Sequence, residues 1–394
     1  EAAGLYRGFA LTAPWTAEGP LSGRASVPQR LRDAALWFLV SGHIGPADGS
    51  LDQRDAPLVR AQEYFGVPLA AHWYNWHEIP FDTHYPHYFP TKPKIPEQVR
   101  DLVGRGMLIM PYINGRIVDR ANDDFAEYRP FATKDAHGEL YNEEYGNGVQ
   151  QAVMCAATGF WQERVAGIVE RLGREVGVNA VYIDQIAAAG PPLCFDRTHG
   201  HPLGGGSWWV DGYRRLLRQA QAAAHAAGRD LAITSECVAE PFMDGVDAFL
   251  VWQPRDGQDI PLMAAVYSGY TLYFASPEPL TTSDRGWTMV QGRDFLWGCQ
   301  NGWMSPDLLR PEALRWGEWI EGQLDKVACG LADLERRANA FGDRVDVGTI
   351  AFACSLGYLD FRFASLAWRE RHPNAAAWYE WFAGRESMVA TRPG

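Results

Sequence analysis

No run of about 18 uninterrupted apolar residues occurs in the 394-residue chain, which argues against a helical membrane span. Basic residues are in deficit: 36 Lys and Arg against 48 Asp and Glu leave a formal charge of −12. Nucleic acid and anionic membrane both demand a basic face, so neither is the expected partner. Cysteine is scarce and unpatterned. Cys155, Cys194, Cys237, Cys299, Cys329 and Cys354 contain no C-x-x-C and no regular spacing, and so read neither as a zinc site nor as a disulfide framework. Gly204-Gly205-Gly206 has no Lys-Ser/Thr after it, so it reads as a turning loop and not as a phosphate cradle. No H-E-x-x-H occurs and no solenoid period recurs, and no cofactor is implied. The chain starts at Glu1 without a basic-then-apolar leader. Either a leader has been removed, as from a secreted or periplasmic protein, or this is an excised segment. A soluble protein is expected, with compartment and oligomeric state open.

Aromatic side chains are in excess. The 16 Trp, 16 Tyr and 18 Phe make 13% of a chain whose 47% hydrophobic and 21% charged content is that of a globular protein with a sizeable core. Flat apolar faces stack on sugars but also fill cores, so composition alone only leans toward carbohydrate.

Beyond residues 1–34, where Pro14, Gly19, Pro20, Gly23 and Pro28 interrupt any period, one unit recurs: a short apolar run, a polar or aromatic loop, an amphipathic helix. Strands are expected at 35–41, 67–74, 107–113, 178–183, 230–235, 246–252 and 270–274, with an eighth near 302–305. Helices are expected at 56–65, 96–105, 160–176, 209–227 and 311–337. Alternation of this kind implies parallel βαβ units, and so many in series imply an α/β fold of the (β/α)8 TIM-barrel type. The barrel is expected to span 35–340, with a peripheral, irregular N-terminal segment (1–34) and a C-terminal extension (341–394).

In such a barrel the loops after the strands build one face. Val178–Ile183 is a buried strand that delivers Asp184 at its end, under a loop too long to be a mere connection. The next clear helix lies more than twenty residues on, too far for Asp184 to cap it. Glu236 ends the fifth strand. Neighbouring strands lie about 4.8 Å apart, so the two carboxyls can face each other at roughly 5–6 Å. That is close to the ~5–5.5 Å of a retaining glycosidase, with Asp184 as nucleophile and Glu236 as acid/base. The competing structural reading makes either one an ion-pair partner. Trp73, Asn75, His77, Tyr112, Asn114, Arg116, Gln185, His199, His201, Trp208, Trp252, Gln253 and Arg255 furnish the same face with aromatic platforms and polar groups, the expected lining for a polyhydroxylated ligand. Strand-like alternation would turn residues 73, 75 and 77 to one side and 74 and 76 to the other. His72, His77, His84, His87, His199 and His201 prompt a rival reading, a metal-dependent hydrolase. The expectation is that no metal is required and that His199 and His201 bond sugar hydroxyls.

The segments YIDQIAAAGPPLCFDRTHGHPLGGGSWW, ITSEC and GRDFLWGCQNGWMSP resemble a poorly characterised bacterial group of glycoside-hydrolase-like barrels. The order of Asp at strand four and Glu at strand five is similar to amylase-type barrels and endo-α-N-acetylgalactosaminidases. The resemblance covers roughly residues 35–310. It implies a retaining hydrolase of an α-linked glycoside of an oligosaccharide or glycoconjugate, with Asp184 matching the nucleophile and Glu236 the acid/base. Where amylases carry Asn-His-Asp after strand seven this chain has Ser276-Pro277-Glu278, so glucan specificity is not implied. The alternative from a different class is a catalytically silent carbohydrate-binding barrel.

Overall fold

The computed structural model describes residues 2–40, 55–227, 230–251, 262–274, 292–304 and 316–391. The chain divides into two compact units, Glu1–Leu309 and Arg310–Gly394.

The first unit is a closed barrel. Its strands in chain order are β1 (Leu36–Val40), β2 (Leu69–Trp73) and β3 (Leu108–Asn114), then β7 (Ala180–Asp184), β8 (Ala232–Glu236), β9 (Ala248–Leu250), β10 (Leu272–Phe274) and β11 (Cys299–Met304). Each pairs in parallel with its neighbours, and β11 closes on β1. The strands are readable as short apolar runs because helices cover their outer side, leaving both faces dry. All five residues of β2 and all seven of β3 are buried. Closure at β1–β11 depends on Gly302: its φ is +121°, and a Cβ there would lie 2.3 Å from the Trp37 carbonyl oxygen. Surrounding helices include Ala56–Phe65, Ile95–Gly104, Gly159–Arg171 and Trp208–Ala226.

Two segments depart from expectation. The N-terminal segment is ordered, opening with the helix Ala2–Ala10 and two 3₁₀ turns, Pro14–Thr16 and Leu21–Gly23. Its prolines fall after that helix, so they punctuate the segment without preventing it. Trp15 Nε1 donates to the Tyr267 hydroxyl (2.9 Å) and the Leu21 N–H to the Gly269 carbonyl (2.8 Å), tying the segment to the barrel wall. The long insertion after β3 folds into an antiparallel sheet of β4 (Ile117–Asp119), β5 (Asn142–Glu143) and β6 (Gln151–Val153), in the order β4-β6-β5. Strands of two or three residues have no readable period, which is why the sequence shows only a long insertion.

The second unit is helical: Trp316–Phe341, Val347–Arg362, Trp368–Arg371, Pro373–Ala383 and Glu386–Ala390. Leu331, Leu334, Leu356, Trp368, Trp378 and Phe382 form its core. Trp316–Phe341 therefore belongs with the helices that follow it. Asp346 and Thr349 cap Val347–Arg362 reciprocally. Among the described residues, no helix is long and apolar enough to cross a membrane.

Candidate active site

Asp184 and Glu236 stand at the tips of adjacent strands. The β7–β8 register pairs Ile183 with Ser235, so the next residue on each strand lies beside the other. Their carboxyls are close enough to perturb each other, and the Gln185 backbone N–H opposes the rise at Glu236. Asp184 Oδ2 accepts from the Tyr112 hydroxyl at 2.9 Å, and the Tyr182 hydroxyl lies near enough to favour its charged form. Burial raises both acids above the usual carboxylate range, and the charge of Glu236 raises Asp184 further. Two desolvated carboxyls side by side resist ionising together, so the pair retains a proton to higher pH than an isolated acid. The Tyr112 and Tyr182 hydroxyls oppose the rise at Asp184, as Asp184 and the Gln185 N–H do at Glu236.

The backbone around this pair is constrained. Asn75, Gln185, Cys237 and Trp303 have φ of +49°, +67°, +55° and +66°. All four lie at or just beyond the ends of barrel strands, two of them immediately after the carboxylates. Left-handed conformation in non-glycine residues costs energy and clusters where the fold must aim side chains at a ligand.

The inward face around the carboxylates is an aromatic well. Tyr74 stacks on Tyr112 (ring centroids 4.8 Å apart), and Phe81 meets Tyr112 at 5.1 Å. His72 lies 4.3 Å from Tyr182 and 4.6 Å from Tyr74. Burial holds His72 neutral, with its pKa lowered to about 3. Its Nδ1 accepts from Trp303 Nε1 at 3.0 Å, so Nε2 carries the proton, a buried donor without a hydrogen-bond partner among the described residues. Phe81, Tyr182 and Trp303 were not among the expected contacts; His72 and Tyr74 lie in the stretch after strand two where a hydroxyl partner and a platform were expected. Period-two spacing marks two of them, since Tyr182 sits two residues before Asp184 and Tyr74 two after His72.

The expected contacts divide. Tyr112 reaches Asp184 directly. Asn114, beside Asp184 in the β3–β7 register, spends its side-chain oxygen on the backbone N–H groups of Arg116 (2.8 Å) and Ile117 (3.1 Å). Gln185 donates to the Tyr145 hydroxyl, and its Oε1 is buried without a partner among the described residues. Trp73 faces away from the well. With Trp76 it lines a small gap against Ile95, Val99, Ile109 and Val178, between strands and helices. The left-handed Asn75 breaks the alternation, so Trp76 joins Trp73 on the outer side and Tyr74 supplies the inner platform. His77 is buried against Trp76 and Tyr88, with Nδ1 2.8 Å from the Ile79 carbonyl oxygen and a pKa lowered by burial to about 4.

Arg116 is buried and committed to protein partners. Nη2 donates to Glu143 at 2.8 Å, Nη1 to the Gly190 carbonyl at 3.2 Å, and the guanidinium lies over the Trp209 ring. It pins the insertion to the loop after β7. His199, His201 and Trp208 belong to a cluster with Cys155 and Cys194: His199 Nδ1 is 3.5 Å from Cys194 Sγ, His201 Nε2 is 3.4 Å from Cys155 Sγ, and His201 stacks on Trp208. Trp252, Gln253, Arg255 and the Ser276–Glu278 stretch lie outside the described residues. A cleft of about 470 Å³ lined by His87, Phe89, Phe160, Arg164 and Arg171 opens elsewhere, against the helix Gly159–Arg171, and contains neither carboxylate.

Comparison with known proteins places this geometry in context. A Bacteroides thetaiotaomicron protein named "Putative glycoside hydrolase" is 32% identical over 327 residues, covering 81% of this chain and 47% of that protein. "Putative glycoside hydrolase 22789" of Monosiga brevicollis is 31% identical over 342 residues, covering 77% of this chain and 28% of that protein. The chain thus spans less than half the length of these curated relatives. Among solved structures, the α-N-acetylgalactosaminidase of Bifidobacterium bifidum in complex with GalNAc superposes with a TM-score of 0.58 at 16% identity, covering 74% of this chain and 50% of that one. The α-galactosidase of Thermus thermophilus in complex with stachyose gives 0.54 at 13% identity, covering 79% and 67%. These likenesses establish the barrel fold. Residues 317–380 of the helical unit match the model of the glutathione S-transferase C-terminal domain. Residues 1–276, which include β1–β10 and both carboxylates, match the model described as "Domain of unknown function (DUF6259)", and the chain belongs to that family.

Proposed function

We propose that the barrel is a retaining glycoside hydrolase acting on an α-linked sugar, with Asp184 as nucleophile and Glu236 as acid/base. The observation that carries this reading is the half-buried carboxylate pair at adjacent strand tips, with the Tyr112 hydroxyl bonded to Asp184. A pyranose entering the well meets a nucleophile and an acid/base on neighbouring strand tips, where retaining enzymes hold them ~5–5.5 Å apart. Asp184 attacks the anomeric carbon while Glu236 gives its proton to the leaving oxygen, and a glycosyl ester forms on Asp184. Glu236, now ionised, takes a proton from water; the water oxygen bonds the anomeric carbon and Asp184 leaves. Tyr74 offers the stacking face, and His72 Nε2–H a donor that is buried and unmatched among the described residues until a hydroxyl meets it. The curated relatives named as glycoside hydrolases support the reaction class, and the names of the structural neighbours make α-galactosides and α-N-acetylgalactosaminides the first substrates to try.

The test is turnover of aryl glycosides followed by proton NMR. The first-formed sugar should be the α-anomer. Asp184→Asn should lose at least about 10³-fold in kcat. Glu236→Ala should keep turnover of an activated aryl glycoside and, with azide, yield the α-glycosyl azide. An inverted first product, or full activity in Asp184→Asn, would refute the assignment.

A further inference from the structure

Cys155, Cys194, His199 and His201 bring their donor atoms within 4.8 Å of one another. Three of the four residues are buried. Cys155 comes from the segment after β6, and the other three from the loop after β7, which Asp184 opens. The Cys194 end of that loop is bridged to Gly204, and the Phe195 N–H donates to the Lys134 carbonyl at 2.8 Å.

Both imidazoles are set by backbone carbonyls. His199 Nε2 lies 2.8 Å from the Pro130 carbonyl oxygen, so Nε2–H donates there and the Nδ1 lone pair turns to Cys194. His201 Nδ1 lies 2.8 Å from the Pro202 carbonyl oxygen, which leaves the Nε2 lone pair turned to Cys155. Fixing the tautomer through a second hydrogen bond is what metal-ligating histidines require. Stacking on Trp208, at 3.9 Å and 7° between planes, orients His201 further. Around His199, Asp196 Oδ2 approaches Nε2 at 3.7 Å and is itself paired with Lys134. The backbone beside Cys155 is held as firmly: a Cβ on Gly212 would lie 2.7 Å from the Ala156 carbonyl, so helix Trp208–Ala226 fits that segment only with glycine there.

We propose that these four residues form a structural zinc site. Zn–S of about 2.3 Å and Zn–N of about 2.0–2.1 Å at tetrahedral angles put sulfur and nitrogen donors about 3.5 Å apart. Two of the four S–N separations, Cys155–His201 and Cys194–His199, are 3.4 and 3.5 Å, and all four donors lie within 4.8 Å of one another. Two sulfurs and two imidazoles favour zinc over magnesium or calcium, which take oxygen donors. On binding, each thiol loses its proton to solvent, and two thiolates with two neutral imidazoles cancel the charge of Zn²⁺. The buried centre is then neutral overall, and metal affinity falls as pH drops and the thiols reprotonate. Four protein ligands leave no open position, so the site braces the structure and does not activate water. It fastens the insertion after β3 to the loop after β7, alongside Arg116–Gly190 and Gln185–Tyr145. His199 and His201 thus serve as ligands in place of the expected sugar contacts. This inference stands apart from the proposed reaction, because metal content is read without any substrate.

The full chain should be produced in zinc-supplemented medium, dialysed against metal-free buffer and analysed by plasma mass spectrometry. About one zinc per chain is expected for a single four-ligand site. Cys155→Ser, Cys194→Ser and His201→Ala should each lose most of it. Growth on cobalt should give the visible absorption of tetrahedral thiolate-bound Co²⁺, a readout on the wild-type chain that does not depend on a variant folding. Cys155 and Cys194 should resist iodoacetamide in the zinc form and be labelled after chelation. The proposal is overturned if loaded wild-type chain holds less than about a tenth of an equivalent, if the Cys155→Ser/Cys194→Ser double variant keeps its zinc, or if Cys155 and Cys194 are found joined as a disulfide.

Discussion

Replacing Asp247 by Asn should remove a pH-dependent weakness in the strand pair that presents Glu236. Asp247 is buried just before β9. Its Oδ2 accepts from the Ile233 N–H at 2.8 Å, and its own N–H donates to the Ile233 carbonyl at 2.7 Å. Burial pushes its pKa up to about 7, against the opposing pull of the Ile233 N–H and of Arg24 and Arg32. The unfolded chain would ionise it near 3.9. Below about pH 4 the carboxyl is protonated in both states and costs nothing. Between about pH 4 and 7 only the unfolded state releases the proton, so stability falls as pH rises; above about 7 the loss is complete. About three pH units at about 1.4 kcal/mol each give a total of roughly 4 kcal/mol. Asn keeps an oxygen for the Ile233 N–H and carries no charge. Denaturant unfolding of both chains at pH 4.5 and 8.5 should show the Asn chain gaining about 3 kcal/mol on the wild type between the two. Other titrating groups cancel in that difference. Parallel stability curves would refute a buried, proton-retaining Asp247.

Further predictions concern the site itself. The pH dependence of kcat/KM should be bell-shaped: below the lower apparent pKa of the pair Asp184 loses its charge, and above the upper one Glu236 loses its proton. Both limbs should lie above the usual carboxylate range, since burial raises both acids. Tyr112→Phe removes a donor that holds Asp184 down, so the acidic limb should move to higher pH; a charge-assisted bond of about 1.5–3 kcal/mol corresponds to a shift of about 1–2 pH units. An unmoved limb would mean that the Tyr112–Asp184 bond is not kept in the working enzyme. Arg116→Ala should destabilise the chain by about 3 kcal/mol, because it strands Glu143 in a largely buried pair. Calorimetry distinguishes this from loss of a sugar contact, which would lower kcat/KM and leave the melting temperature unchanged. Tyr74→Ala should weaken sugar binding at least tenfold, whereas Trp73→Phe should change stability and leave binding intact, as titration calorimetry with the free sugar would show.

The barrel was legible in the chain because a strand buried on both faces must be a short apolar run and its covering helix must be amphipathic. Val178–Ile183 and Asp230–Ser235 can be read in no other way, and each places a carboxylate at its end. The adjacency of Asp184 and Glu236 follows from the order of strands in a parallel barrel, which sequence alone determines once the fold is recognised. The side taken by Trp76 was not legible, because one left-handed residue, Asn75, shifts the alternation that the sequence displays as regular. Nor was the role of Arg116: a strand-end arginine has the same appearance whether it meets a ligand or, as here, a glutamate 27 residues away. Cys155 stands 39 positions before Cys194, with no spacing that marks a metal site. Only the fold of the insertion after β3 against the loop after β7 brings those sulfurs to two imidazoles whose tautomers backbone carbonyls have set. Local periodicity reports what each segment buries; which distant donors converge on one point is decided by tertiary packing.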